Sequence, residues 1–220
     1  MVDIKALPPE QIGMLTVEPS EPVRVGDTFD IVLRYELGEL PLREAGQMIV
    51  EWREIRGIRA QFDHRDRHGY AQIETTADAH FAVEVTSRNY SGYLGCPTRG
   101  IGITVTEGSL EPGDALTITI REPRTSAPFD MTTLPFPTDC NFYLRRDLPG
   151  GIGYLDRPAT LVILPGEPDR LRLIAPSGVE PGGSVEVTAQ VRDAWDNTVV
   201  SYAGEVEVSL EGPGGEGGET

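Results

Sequence analysis

Residues 161–210 read LVILPGEPDRLRLIAPSGVEPGGSVEVTAQVRDAWDNTVVSYAGEVEVSL. Val185, Val187, Ala189 and Val191 alternate with Glu186, Thr188, Gln190 and Arg192, and Val206, Val208 and Leu210 alternate with Glu205, Glu207 and Ser209. A period of two puts one apolar face on a core and one polar face in water, which is the mark of a half-buried strand. Pro165, Gly166 and Pro168 interrupt that pattern and read as a short junction, with the last strand of one β domain before it and the opening strands of a second after it.

The same alternation recurs upstream. Phe29, Ile31, Leu33 and Tyr35 define one strand, Met48, Val50 and Trp52 the next, and Ile101, Ile103 and Val105 another. Leu116, Ile118 and Ile120, interleaved with Thr117 and Thr119, give the clearest strand of the first domain. Residues 70–75 and 81–86 read as a hairpin-like pair with Phe81, Val83 and Val85 inward, and 142–144 and 159–164 close the domain, for about eight strands. Between Arg121 and Asn141 the alternation fails: REPRTSAPFDMTTLPFPTDCN holds four prolines and reads as a long loop.

One phrase occurs three times, as VRVGDTFDIVL at 23–33, LEPGDALTITI at 110–120 and VEPGGSVEVTA at 179–189. Each is a turn on Gly26, Gly113 or Gly182 followed directly by an alternating strand, the work of a residue that tolerates positive φ. Shared turn chemistry accounts for the repetition better than duplication does, and short strands at regular spacing favour an immunoglobulin-like β-sandwich. The fold class expected is therefore all-β. Residues 1–14 read as an unpatterned lead-in, 15–165 as an immunoglobulin-like sandwich, 166–210 as the start of a second immunoglobulin-like domain, and 211–220 as a Gly-rich flexible tail. That second domain is incomplete, since such a sandwich wants about seven strands, and half of one leaves an apolar face and open edges.

A chain of 220 residues with 39% hydrophobic content can pack a core. It carries no apolar run of membrane-spanning length, and the start MVDIKALPPEQIGM lacks the basic, apolar and small-residue order of a secretory leader, so the reading leans cytoplasmic unless a leader has been removed. Net charge is −16, from 19 basic and 35 acidic residues, and residues 166–220 carry 3 and 11 of them. Such a field repels nucleic acid and anionic membranes, and neither is expected as a partner. Cys96 and Cys140 are too few for a disulfide framework; they read as two small side chains or as one bridge.

Three groups of residues could carry chemistry, and each has a plainer reading. His64 and His68, with His80, Asp63, Asp66 and Asp78 nearby, are the nearest approach to metal ligands, because an i,i+4 pair on a helix faces one ion. FDHRDRHGY lacks a helical apolar face and reads as a solvated loop instead. Arg53, Arg56, Arg59, Arg65 and Arg67 interleave with Trp52, Phe62 and Tyr70 as on a single-strand nucleic-acid platform, yet Glu51, Glu54, Asp63 and Asp66 neutralise the strip. Asp193, Asp196 and Asn197 offer oxygen ligands to calcium, but an Asx turn ending the preceding strand explains them better. Serine-nucleophile, phosphate-loop and Cys-x-x-Cys motifs are missing. No catalytic or cofactor-binding residue is assigned.

The junction stretch nevertheless resembles a segment of a large bacterial family. The likeness rests on Ala175, Pro176 and Ser177, on Pro181 and Gly182, and on Asp193 through Asn197 with Tyr202 and Gly204 beyond; Trp52, Tyr70 and LEPGDALTITI fit more loosely. Members of that family carry N-terminal immunoglobulin-like domains before a metal-dependent phosphoesterase-like domain of the polymerase-and-histidinol-phosphatase type. The metal motifs of that domain have no counterpart here, and after Ile120 REPRTSAPF stands where the family has a Gly-Asp-rich turn. The resemblance implies a non-catalytic accessory region that braces or orients a downstream domain of the same polypeptide, with a divalent metal only in that domain and no cofactor in this chain. The alternative is a structural or adhesive immunoglobulin-like module at the cell surface.

Overall fold

The computed structural model describes residues 3–53, 58, 60–88, 98–122, 138–148, 151–178, 180 and 182–207. In chain order the elements are β1 (Asp3–Leu7), α1 (Pro9–Ile12), β2 (Gly13–Glu18), β3 (Val23–Arg24), β4 (Ile31–Leu37), β5 (Gln47–Arg53), β6 (Ala71–Thr75) and β7 (Ala79–Arg88). They continue with β8 (Thr98–Gly108), β9 (Ala115–Ile120), β10 (Thr138–Leu148), β11 (Gly151–Leu155), β12 (Ala159–Leu164), β13 (Pro168–Ile174) and β14 (Thr188–Asp193).

Two sheets face each other. The larger has eight strands, ordered β1-β11-β10-β5-β8-β7 with β12 and β3 added beside β10; the smaller has four, ordered β2-β4-β9-β6. The long strand β10 is the spine of the larger sheet: Phe142–Arg146 pairs with Met48–Trp52 of β5, while its other edge is divided between β12 at 138–142 and β11 at 145–148. The small sheet thus has the A-B-E-D order, and β5, β10 and β12 the C-F-G order, of an immunoglobulin-type sandwich, with the β7–β8 hairpin added beside β5. The all-β, immunoglobulin-like class read from the alternation is what the chain adopts.

Alternation explains the core directly. In β4, Ile31, Leu33, Tyr35 and Leu37 are buried and Arg34 and Glu36 exposed, and the register sets Leu33 against Ile118 of β9. From the larger sheet come Met48, Val50, Trp52, Ile101, Ile103, Phe142 and Leu144. Trp52 and Phe142, directly paired, tilt against each other with centroids 5.6 Å apart and planes at 58°, the offset geometry that aromatic quadrupoles favour.

Several sequence expectations need correction. The lead-in is part of the sandwich from Asp3 on: β1 runs parallel to β11, α1 carries the chain across, β2 pairs antiparallel with β4, and β3 returns to lie parallel to β12. Residues 70–75 and 81–86 are not a pair. β6 joins β9 in the small sheet and β7 joins β8 in the large one, because alternation sets the face of a strand and not its neighbour. β14 begins only at Thr188, and residues 205–207 form no strand; residues 208–210, most of the 121–141 loop and the tail lie outside the described residues.

The three repeated phrases share a turn. Gly26, Gly113 and Gly182 have φ of 93°, 87° and 82°. In the first two the following aspartate closes the loop alike: Asp27 Oδ2 accepts the Arg24 N–H at 2.8 Å, and Asp114 Oδ2 the Glu111 N–H at 2.8 Å. In the third, Gly183 replaces the aspartate and only the backbone bond to Glu180 remains, at 2.9 Å.

Beyond the sandwich, β13 and β14 form a two-stranded ribbon. Leu171 pairs with Val191 and Leu173 with Ala189 on one face of it, and Leu173 remains 50% exposed. Val185, Val187 and Val206 are exposed as well.

One polar network crosses the core. Arg146 of β10, 2% exposed, donates to the Leu40 and Pro41 carbonyls at 2.8 and 2.6 Å and to the Tyr35 hydroxyl at 3.3 Å. Tyr35 in turn donates to the Ile12 carbonyl, and burial pushes its phenol above the usual tyrosine range although Arg146 pulls the other way. Substituting Arg146→Met leaves those acceptors without a donor in a dry site, and urea denaturation of that variant should show a loss of about 3 kcal/mol.

Cys140, fully buried on β10, is a free thiol that burial alone pushes up to about 12 from its ordinary 9; Cys96 lies outside the described residues. The folded thiol therefore stays neutral where the unfolded one ionises. Stability from this site is whole below about pH 9 and falls as pH rises toward 12, since the unfolded state then binds fewer protons. Iodoacetamide at pH 8 with peptide mapping should leave Cys140 unmodified in the native protein and alkylate it after denaturation.

Candidate functional site

The loop after β5 brings His64 and His68 to one end of the small sheet without making a helix of them. Gln61 organises it: its Oε1 accepts the His64 N–H at 2.8 Å and its Nε2 donates to the His64 carbonyl at 2.7 Å. The backbone then turns from His64 to Arg67, with N–H to carbonyl at 3.1 Å. An i,i+4 spacing converges on one ion only on a helical face, and here His68 Nδ1 instead lies 3.2 Å from the Glu122 carbonyl and 3.4 Å from its carboxylate. Among the described residues no three His, Cys, Asp or Glu side chains gather around a common point.

That loop walls a groove of about 660 Å³ on the outer side of β6 and β9. Arg65, Arg67 and Arg121 line it together with Asp30, Asp66, Glu74 and Glu122, and Gln72 and Thr119 line it as well. Opposed charges of nearly equal number concentrate neither anions nor cations. Two acids are already engaged: Asp30 Oδ1 accepts the Glu122 N–H at 2.9 Å and Glu74 Oε1 the Gln72 amide at 2.9 Å. Of the aromatic residues in the arginine strip, Trp52 is fully buried in the core and Phe62 and Tyr70 are partly buried; Arg56 and Arg59 lie outside the described residues.

The Asp193–Asn197 turn is complete without an ion. Asp193 is 0% exposed. Its Oδ1 accepts the N–H groups of Trp195 and Asn197 at 2.9 and 2.8 Å, and its Oδ2 accepts the Gly166 N–H at 2.7 Å and the Asn197 amide at 2.8 Å. Four donors fill the four lone-pair directions of one carboxylate. These residues make an Asx turn that fastens β14 to the junction, and the carboxylate has no oxygen left over for calcium.

Sequence reasoning passed over a pair on the outer face of the large sheet. Glu51 of β5 and Arg145 of β10 occupy polar positions of their strands, yet both are buried. Arg145 Nε stands 4.0 Å from Glu51 Oε1, close enough for charge attraction and too far for a hydrogen bond. Glu51 Oε2 accepts from Thr98 at 3.4 Å, whereas Glu51 Oε1 and Arg145 Nε and Nη2 have no hydrogen-bond partner. Only the depth of each residue in the fold distinguishes it from a solvated charge, so nothing in the sequence marks the pair. Removing one member strands the other. Glu51→Leu and Arg145→Met should each cost about 3 kcal/mol, and the double variant should return to within about 1 kcal/mol of the parent in a thermodynamic cycle.

No protein-family model matches the chain, and no curated protein does. Among solved structures, the chain is similar to a cohesin module from a Clostridium perfringens family 33 glycoside hydrolase, at 14% identity, over 71% of this chain and 99% of that one, with a TM-score of 0.39. It is also similar to a structure titled "AvmM Catalyzes Macrocyclization in Alchivemycin A Biosynthesis", at 10% identity, over 77% of this chain and 94% of that one, with a TM-score of 0.34. At such identities and scores neither likeness transfers a ligand, a partner or an activity to this chain.

Proposed function

We propose that this chain is a non-catalytic accessory region whose sandwich holds the following β unit in a set attitude and, through it, braces or orients a neighbouring domain of the same polypeptide. The observation that carries the reading is the junction. The Asp193 carboxylate grips the Gly166 N–H, and the Trp195 ring lies on Gly26 and Gly166, where a Cβ on either glycine would run into it. Arg24 adds a bond to the Pro165 carbonyl at 3.2 Å and an ion pair with Glu167 at 3.3 Å, and Arg170 reaches the Ala194 carbonyl at 2.8 Å. A linker that served only to tether would not need a buried carboxylate and a tryptophan wedged against the preceding domain.

The division at 165/166 belongs to this reading, with 166–210 as the oriented unit and 211–220 as the connection onward. So does the nature of the neighbour: the family resembled at the junction couples such domains to a metal-dependent phosphoesterase-like domain, and the divalent metal and the chemistry are assigned to that neighbour. The acidic field of this chain suits a scaffold in aqueous surroundings and opposes nucleic-acid and anionic-membrane contact.

Asp193→Ala removes the shared acceptor of four donors and should free the second unit while leaving the sandwich folded. Trypsin should then cleave at Arg170 and Arg172 at least tenfold faster than in the parent, small-angle scattering should show a larger maximum dimension, and the main thermal transition should move by less than about 2 °C. Unchanged cleavage and scattering would sink the rigid-junction reading. A reading frame that continues from Thr220 into a domain rich in histidine and aspartate metal ligands supports the assigned neighbour, and a stop codon there removes it.

A further inference from the structure

The larger sheet ends at β7, a strand whose far edge pairs with nothing among the described residues. Its inner-face residues Phe81, Val83 and Val85 stand opposite Val105, Ile103 and Ile101 of β8, all three of which are core residues. Phe81 packs against the core, whereas Val83 and Val85 remain 39% and 41% exposed. The one irregularity of the β7–β8 ladder lies between His80 and Phe81, so 81–88 is a regular strand. It holds no proline, and Glu84 is the one charge within the run from Phe81 to Ser87. Natural edges are blunted by prolines, bulges or several charges; the run from Phe81 to Ser87 has none of these beyond Glu84, which marks that run as a pairing surface.

We propose that β7 pairs antiparallel with β7 of a second copy of this chain about a two-fold axis at Val83, joining the two large sheets into one. The sequence of the strand is self-complementary in one register. With the axis at Val83, Val83 meets its own copy and Phe81 meets Val85 of the second copy, so all three apolar residues of each chain find apolar partners within the regular stretch. On the outer face Ala82 meets Glu84 of the second copy and His80 meets Thr86. Moving the axis to Glu84 sets two carboxylates directly opposite, which destabilises a strand pair. Moving it to Ala82 sends Val85 against Ala79, past the ladder irregularity. Slips that oppose residues of unlike parity turn Phe81 toward the polar face. A closed two-fold pairing also removes the exposed edge from both chains, as isologous contacts do.

Charge sets the conditions. Two chains of −16 repel each other, and salt screens that repulsion over a Debye length of about 10 Å at 0.1 M. Raising sodium chloride from about 20 to about 300 mM should therefore strengthen the dimer severalfold. Sedimentation equilibrium of the whole chain at about 1–100 µM should show a monomer–dimer equilibrium, and Val83→Lys should raise its dissociation constant at least about 100-fold with an unchanged circular dichroism spectrum, since Val83 is exposed in the monomer. In a Cys96→Ser background, Val83→Cys should form an intermolecular disulfide with itself under mild oxidation and Glu84→Cys should not. A chain that stays monomeric at about 100 µM in high salt overturns the proposal. So does a dimer indifferent to Val83→Lys, or one cross-linked through Glu84→Cys instead of Val83→Cys.

Discussion

The hydrogen bond that Tyr35 receives from Arg146 is the point at which the two sheets, the N-terminal crossing and the loop before β5 are tied together. Tyr35 belongs to the small sheet and Arg146 to the large one, and through them the Ile12 carbonyl at the end of α1 and the carbonyls of Leu40 and Pro41 share one set of donors. A guanidinium in a nearly dry core is costly unless its donors are used. Three partners take up its two terminal nitrogens, while Nε stays unpaired. The apolar contacts around this network are non-directional and would tolerate a sliding of one sheet on the other. Bonds of fixed geometry from strand to loop and strand to turn do not, and so the relative position of the two layers is specified by directional bonds rather than by the apolar contacts between them.

How far the sequence reveals this fold depends on the physical signal each element leaves. β4, β5, β8, β9 and β12 were legible because one side chain in two lies on a core, and the described burial follows the expected residues in Ile31–Leu37 and Ala115–Ile120. β2 was not. Its buried residues are Gly13 and Leu15, Val17 is only partly covered, and exposed Met14 breaks the apparent period. β1 and β3 are short strands that gain their identity from parallel partners more than a hundred residues away, and local pattern cannot register a partner at that distance. The mistaken pairing of 70–75 with 81–86 has the same origin: adjacency in sequence favours a hairpin, but the turn between them sends the chain from one layer to the other.

Site residues divide along a similar line. A carboxylate and an amide four residues apart in a loop have the same composition whether they close an Asx turn or hold an ion, and only the count of donors on Asp193 decides between them. The glycines at 26 and 166 look like ordinary turn residues in the sequence, yet both leave room for one tryptophan ring, and Trp195 gives no hint of this from its own neighbours. Glu51 and Arg145 could not have been found by pattern, since each stands where a solvent-facing residue belongs. Their burial is a property of the assembled sheet.

The unequal size of the two sheets connects these observations. The larger sheet has eight strands and the smaller four, and the larger one has a margin at β7, where Phe81 still packs against the core while Val83 and Val85, which keep the alternation of a core strand, stay exposed. The ribbon of β13 and β14 is a second margin of the same kind, apolar on one face and attached to the sandwich through its turn and its first residues rather than through that face. Exposed apolar surface of this sort drives indiscriminate association unless something opposes it, and a net charge of −16 with a dense acidic share in the C-terminal quarter opposes it at long range. Repulsion that decays over roughly a Debye length discriminates by geometry: it penalises any contact that brings two acidic surfaces broadly together, and penalises least a contact made edge to edge along a single strand. Acidity and open margins thus act against each other, the first keeping apart what the second would otherwise gather.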